Sequence, residues 1–226
     1  GGAVLCDRVR MQAHATDPGV FVRSMASRAA RGGLSPAAPD AVRVLDAAGW
    51  PEVLVETVGV GQSDVDVALV ADTVVVVVTP GWGDGVQAEK AGVLEIADVV
   101  VVNKGDRPGA DEARAVLATM GDLVPPRSGW RPPVVVTSAV DGSGVAQLWD
   151  AVGDHRAWLA TDGRLGARRR ARRLAELRWV VEARAGASGL RWCHGPLYDE
   201  AVAALADGRL DPGAAATTVL GAVADQ

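Results

Sequence analysis

Lysine is almost missing from this chain. Of its 23 basic residues only two are lysines, Lys90 and Lys104, and the rest are arginines. Neither lysine follows a glycine: Lys90 follows Glu89 and Lys104 follows Asn103, so no Gly-Lys-Ser/Thr occurs in these 226 residues. That excludes a Walker A loop from the sequence, because such a loop needs its lysine on the β/γ-phosphates and the following hydroxyl on Mg2+. Cysteine is scarce too. Cys6 and Cys193 stand far apart without Cys-x-x-Cys spacing, which excludes a disulfide framework or a Cys-rich zinc site and suits a reducing cytoplasmic setting. The longest apolar run, around residues 74–78, is far too short to cross a bilayer, and no signal-peptide pattern opens the chain. The net charge of −5 gives no general electrostatic reason to expect nucleic acid or an anionic membrane as partner. What is present is a chain 49% apolar, enough for a well-buried core in one large or two small domains.

Strand-like and helix-like stretches alternate from Pro51 onward. EVLVET (52–57), TVVVVVTP (73–80), VVVVN (99–103) and PVVVTSA (133–139) have the composition of short strands. Between them, residues 62–71, 84–97 and 110–120 have helical patterning, and residues 144–160 follow as a further helix. Continuous apolar runs, rather than strict alternation, predict strands buried on both faces; intervening helices predict parallel βαβ units. Upstream, residues 40–50 predict a helix ended by Gly49. Downstream, residues 164–186 predict one long helix with a basic first half, and 196–206 and 212–224 two short ones. The expected fold is therefore α/β: a mostly parallel sheet flanked by helices, with a helical C-terminal extension. The expected division is 1–161 for the sheet domain and 162–226 for the extension. The arginine cluster at 168–173 is either a nucleic-acid patch or, as such runs usually are, the solvated face of a helix.

In open parallel sheets, ligands bind beyond the carboxyl ends of the strands. The polar residues at Glu56, 81–84, 103–106 and 137–139 all fall on that rim. Asn103-Lys104-Gly105-Asp106 has the chemistry of a base reader. An ionised Asp106 accepts from two N–H groups at once, and guanine offers N1–H and N2–H2 side by side where adenine offers no such pair. Asn103 either bonds N7 of the base or braces neighbouring loops, and the Lys104 stem can lie over the ring. On the next strand, Thr137-Ser138-Ala139 can offer backbone N–H groups to the guanine O6. Either motif alone is an ordinary satisfied turn; the two in register are a specific combination. Glu56 closes an earlier strand, and Gly59 follows three residues later. That pattern suits a metal-linked phosphate sensor: Glu56 would hold Mg2+ through water or orient the attacking water, and the Gly59 N–H would touch the terminal phosphate. The plainer reading of Glu56 is a strand-end acid.

These residues, together with GGAVLCDRVRM, FVRSMASRAARGGL, ETVGVGQSDVDVA and PGWGDGVQAEKAGVLEIADVVVVNKGD, resemble the MeaB/ArgK family of P-loop GTPases. The resemblance is dense over about residues 1–160 and looser beyond. It implies GTP/GDP and Mg2+ as cofactors, and an adenosylcobalamin-dependent acyl-CoA mutase, such as methylmalonyl-CoA mutase, as the partner whose cofactor loading and protection the family assists. It also implies a homodimer held partly by C-terminal helices. By residue, it implies Glu56 near Mg2+ and the γ-phosphate; Asn103, Lys104 and Asp106 on guanine; and Ser138 and Ala139 closing over the base. Asp7 and Asp17 would face nucleotide and metal, with Cys6 standing where the family usually has glycine. The stretch 80–90, with Gly81, Asp84, Gln87 and Lys90, matches the mobile loop that couples nucleotide state to the mutase; Lys90 is then a coupling residue, or otherwise an ordinary helix-surface lysine.

Family members carry a helical segment, the first strand, the P-loop and an Asp-Pro-Ser-type metal segment ahead of the point matching Gly1. The resemblance therefore implies an N-terminally incomplete sequence, with an unpaired gap or edge beside the 52–57 strand. Two other readings stay open. One is a non-catalytic interaction or dimerisation module derived from such a GTPase. The other is a nickel metallochaperone GTPase, although His14, His155 and His194 are too scattered for its usual metal sites. Leu174, Leu177 and Val181 on the long helix suit a dimer face or intrachain burial equally.

Overall fold

In the computed structural model of the chain, the described residues are 11–14, 16–25, 34–35, 37–57, 67–68, 70–81, 95–123, 129–190 and 192–224. They form three strands and six α-helices: α1 (Ala38–Ala47), β1 (Val75–Val78), β2 (Val99–Val102), α2 (Ala110–Leu123), β3 (Val134–Val136), α3 (Val145–Ala160), α4 (Arg164–Leu190), α5 (Pro196–Ala206) and α6 (Pro212–Ala224). The chain divides into two compact units, Gly1–Arg172 and Arg173–Gln226.

The first unit is built on a parallel sheet in the order β1-β2-β3, with Val75 opposite Val99 and Val100 opposite Val134. Valine suits these strands because a β-branched side chain packs well on a pleated, covered surface. The sheet's two faces follow the two-residue period of the pleat. On one, Val76, Val78, Val100 and Val102 meet Ala110 and Leu117 of α2. On the other, Val99 and Val101 meet Ala151 of α3. All four residues of β2 are consequently buried.

Two strand expectations need correction. Burial on both faces holds for β2 but not for β1, where only Val76 and Val78 are buried and Val77 is 58% exposed. Among the described residues, β1 pairs with β2 alone, so one of its edges and part of one face lack cover. Residues 52–57, expected as a buried strand, form neither helix nor strand, and Leu54 is 87% exposed. A strand is completed by hydrogen bonds to a neighbour, and no described residue supplies one there. The expected helices at 62–71 and 84–97 lie largely outside the described residues.

Part of the arginine cluster faces solvent, with Arg169, Arg170 and Arg173 exposed, but Arg168, Arg169 and Arg172 are ion-paired within the fold. Asp98, only 7% exposed, accepts the Val74 N–H at 2.8 Å and a two-pronged contact from Arg168, 2.9 Å to Oδ1 and 2.5 Å to Oδ2. Asp72 receives Arg169 at 2.5 Å and Arg172 at 2.9 Å. Burial works against the Asp72 carboxylate, but the hydrogen bonds and charges of Arg169 and Arg172 outweigh it and hold its pKa below the usual range. These contacts join residues 164–172 to the first unit. The two acids sit at the amino-terminal end of β1 and β2, the opposite end from the rim loops.

His155 of α3 fills the space beside them. It is completely buried, faces the Thr73 hydroxyl through Nδ1 at 2.9 Å, and forms a three-ring cluster with Trp130 and Trp158. Its Nε2 lies 3.4 Å from Asp98 Oδ1 without a hydrogen bond among the described residues. Burial pulls the His155 pKa down; the Asp98 charge opposes this, and Arg168 adds to it.

In the second unit, α5 and α6 pack together through Ala201, Ala215 and Val219. Both helices start on a proline, which suits the first turn because its missing N–H would have no partner there anyway. On α4, Leu174, Leu177 and Val181 are 69%, 60% and 56% exposed at spacings that place them on one side of the helix.

Candidate guanine-reading site

The site stands where β2 and β3 end. Past Val102, the Asn103 N–H donates to the Val78 carbonyl at 2.8 Å, tying the loop to the end of β1. Past Val136, the Thr137 N–H donates to the Val102 carbonyl at 2.9 Å. The two loops then join directly, with the Gly105 N–H on the Thr137 carbonyl at 2.8 Å and the Thr137 hydroxyl on Asn103 Oδ1 at 3.3 Å. Asn103 therefore braces the neighbouring loop, one of its two expected roles. Lys104 takes the left-handed conformation with φ +63°, uncommon for a residue with a side chain. The Arg107 N–H closes the turn onto the Lys104 carbonyl at 3.0 Å. Lys104 and Asp106 are both exposed.

The second loop is closed on itself. Ser138 is 1% exposed; its N–H donates to the Ser143 carbonyl and its own carbonyl accepts from Gly142, both at 2.9 Å. Its hydroxyl accepts the Val140 N–H at 3.3 Å. The Ser138 N–H is thus already engaged, and Ala139 carries the N–H that has no protein acceptor among the described residues. Asp141 accepts the Ser143 N–H at 2.9 Å. That bond first, then the hydroxyls of Ser143 and Ser138, hold the Asp141 carboxyl below its ordinary pKa. Sequence reasoning passed over Asp141, Gly142 and Gly144, although Asp-Gly-Ser-Gly has the composition of a tight turn.

The other expected site residues are placed less closely. Glu56 is exposed, on a stretch that forms neither helix nor strand. Asp17 accepts the Gly19 N–H at 2.8 Å within its own turn. Gly81 is exposed in the turn after β1. Asp7, Gly59, Asp84, Gln87 and Lys90 lie outside the described residues. Among the described residues no group of three or more His, Cys, Asp or Glu is placed to hold a metal ion; Asp7, expected beside Asp17 and Glu56, lies outside them.

A parallel α/β sheet carrying Asn-Lys-x-Asp and Ser-Ala on adjacent strand ends has the arrangement of a P-loop GTPase G domain. The chain belongs to the family described as methylmalonyl Co-A mutase-associated GTPase MeaB, whose family model matches residues 1–188. It is 52% identical over 184 residues to a protein of Pyrococcus abyssi provisionally named a GTPase, covering 80% of this chain and 57% of that one. The GTPase ArgK of Escherichia coli is 34% identical, with 73% and 51% covered. The mouse mitochondrial methylmalonic aciduria type A homolog is also 34% identical, with 75% and 42% covered. The chain thus spans about half the length of the curated relatives it matches. Among solved structures, the crystal structure of an LAO/AO transport system kinase is similar with TM-score 0.62 at 26% identity, over 84% of this chain and 63% of that one. Among the described residues, no helix is long and apolar enough to cross a membrane.

Proposed function

We propose that this chain carries the guanine-reading part of a cytoplasmic GTPase that assists an adenosylcobalamin-dependent acyl-CoA mutase in cofactor loading and protection. The observation that carries the reading is the direct join of the two rim loops, Gly105 to Thr137 and Thr137 to Asn103. On this reading Asp106 and the Ala139 N–H face the same base. Asp106 accepts N1–H and N2–H2 of guanine, Ala139 donates to O6, and Lys104 covers the ring. Glu56 and Gly59 act at the terminal phosphate end, and Gly81, Asp84, Gln87 and Lys90 couple that state to the mutase. Mg2+ would supply charge neutralisation at the phosphates; Asp7, Asp17 and Glu56 are the proposed holders. The family description and the mouse relative's name support the mutase as partner. Residues 1–161 act as the G domain and 162–226 as the dimerising extension.

The test is a titration of the 15N-labelled chain with GMP and, separately, AMP, followed by amide shifts. GMP at millimolar concentration is expected to move Ala139 and Lys104–Asp106, with AMP moving them far less. Asp106→Asn is expected to weaken GMP about tenfold to a hundredfold, the worth of a charge-assisted contact. Equal responses to GMP and AMP, or none at Ala139, would overturn base reading. Because no Gly-Lys-Ser/Thr is present, the extra phosphates of GTP are expected to add little; micromolar GTP binding would overturn that part. A second reading, an interaction module without turnover, is favoured by the same missing motif and by the exposed Leu174, Leu177 and Val181. GTP hydrolysis by the purified chain would exclude it.

A further inference from the structure

Guanine reading makes no use of His155, yet no titratable side chain among the described residues is more deeply enclosed: its exposure is 0%. The Thr73 hydroxyl meets its Nδ1 at 2.9 Å, while its Nε2 is buried with no hydrogen-bond partner among the described residues. Asp98 Oδ1 stands 3.4 Å from that nitrogen. Two charged groups bear on the ring, Asp98 just ahead of β2 and Arg168 on α4. The residues that touch the ring, Thr73 ahead of β1, Trp130 ahead of β3 and Trp158 on α3, are neutral. Arg164 of α4 lies over the Trp158 ring, 4.8 Å from its centroid. Asp98 is meanwhile fully engaged, with the Val74 N–H and both prongs of Arg168 on its two oxygens.

A proton on His155 changes what this cluster can satisfy. Both ring nitrogens become donors: Nδ1 keeps the Thr73 hydroxyl, which accepts as readily as it donates, and the Nε2–H faces Asp98 Oδ1. Closing 3.4 Å to a charge-assisted contact of about 2.8 Å takes a movement of only about 0.6 Å. One carboxylate then faces two cations in a poorly screened site and cannot neutralise both. Exposure decides which one leaves. The Arg168 side chain is 26% exposed and reaches water by rotating, whereas that of His155 is 0% exposed. We propose that His155 is a proton-operated switch on α4: taking up a proton, it binds Asp98 in place of Arg168 and frees that guanidinium to solvent, while Arg169 and Arg172 stay on Asp72. Burial pulls the His155 pKa below 6.5, with Asp98 opposing and Arg168 adding to the pull. Arg168 therefore stays bound at neutral pH, and the exchange lies below pH 6.5. The opposition is mutual, because whatever free energy Arg168 sets against the proton, the proton sets against Arg168. Burial works against the Asp72 carboxylate too, but Arg169 and Arg172 hold its pKa below the usual range, so that anchor stays ionised through the same window. The switch stands independently of the base-reading proposal.

The test is an NMR titration of the full chain from about pH 7.5 down to about pH 4.5, following the His155 ring and the arginine Nη groups. Two-pronged pairing slows rotation of a guanidinium and resolves its Nη signals. Those of Arg168 are expected to collapse with the same midpoint as the His155 ring shift. Those of Arg169, paired with Asp72 through Nε and Nη2, are expected to persist. Arg168→Met removes the competing cation and should move the His155 midpoint upward. In His155→Gln the Arg168 signals should survive the pH at which they collapse in the unsubstituted chain. Arg168 signals that persist through the His155 midpoint would overturn the switch. So would their collapse at an unchanged midpoint in His155→Gln, which would assign the release to Asp98 itself, or joint loss of Arg168 and Arg169, which would mark unfolding. A chain that unfolds before His155 titrates overturns it as well. Should His155→Gln fail to fold, Arg168→Met decides: an upward midpoint supports the switch and an unmoved one overturns it.

Discussion

Removing the charge of Asp98 is the sharpest test of how residues 164–172, the first turns of α4, are held to the sheet. Three elements converge on this carboxylate: the Val74 N–H ahead of β1, Arg168 of α4 through both guanidinium nitrogens, and the ring of His155 from α3. The Arg168 and Asp98 side chains are only 26% and 10% exposed, so the pair is poorly screened. Breaking such a pair from one side typically costs about 3–5 kcal/mol, because the remaining charge stays buried without a partner. Asp98→Asn keeps an acceptor for Val74, so the lower end, about 3 kcal/mol, is expected. In a double-mutant cycle with Arg168→Met, the coupling should be about 2 kcal/mol, since the methionine leaves no stranded guanidinium. Arg156–Glu52 provides the internal control: its side chains are 72% and 46% exposed, so its coupling should stay below about 1 kcal/mol. The assay is urea unfolding followed by tryptophan fluorescence, with Trp130 as local reporter. Its indole N–H donates to the Asp98 carbonyl at 2.8 Å and its ring lies 4.8 Å from that of His155. A cycle in which Asp98–Arg168 couples no more strongly than Arg156–Glu52 would refute the argument.

The other predictions concern His155 and the long helix. The folded pKa of His155 lies below its ordinary value of 6.5, so between those two values the unfolded chain binds more protons than the folded one. Stability should accordingly be full above pH 6.5 and fall as pH drops toward the folded pKa, by at most about 1.4 kcal/mol per unit. Urea midpoints between pH 7 and 5.5 should show that slope and His155→Gln should flatten it; an unchanged slope in the variant would count against the histidine. If Leu174, Leu177 and Val181 form a dimer face, sedimentation equilibrium should find dimers at tens of micromolar, roughly the range a modest apolar interface supports. Leu177→Glu should then yield monomers, and a monomeric unsubstituted chain would discard the dimer.

How much was legible in the sequence depended on how local the cause was. α5 and α6 begin and end where proline, composition and apolar spacing put them, because those signals act within a few residues of the backbone they shape. Asn103, Asp106, Ser138 and Ala139 stood out for the same reason: motif chemistry at a strand end survives in one dimension. The stretch 52–57 did not follow its composition, since a strand exists only with a neighbour to bond. Tertiary structure alone decided the rest. Asp98 meets Arg168 across 70 positions, and Thr73 meets His155 across 82; no periodicity records either pairing. Sequence alone counts the arginines as a solvent-facing charge run; folding matches Arg168, Arg169 and Arg172 to two acids. Which acid an arginine serves is set by what stands opposite it, and only the folded chain brings that carboxylate there.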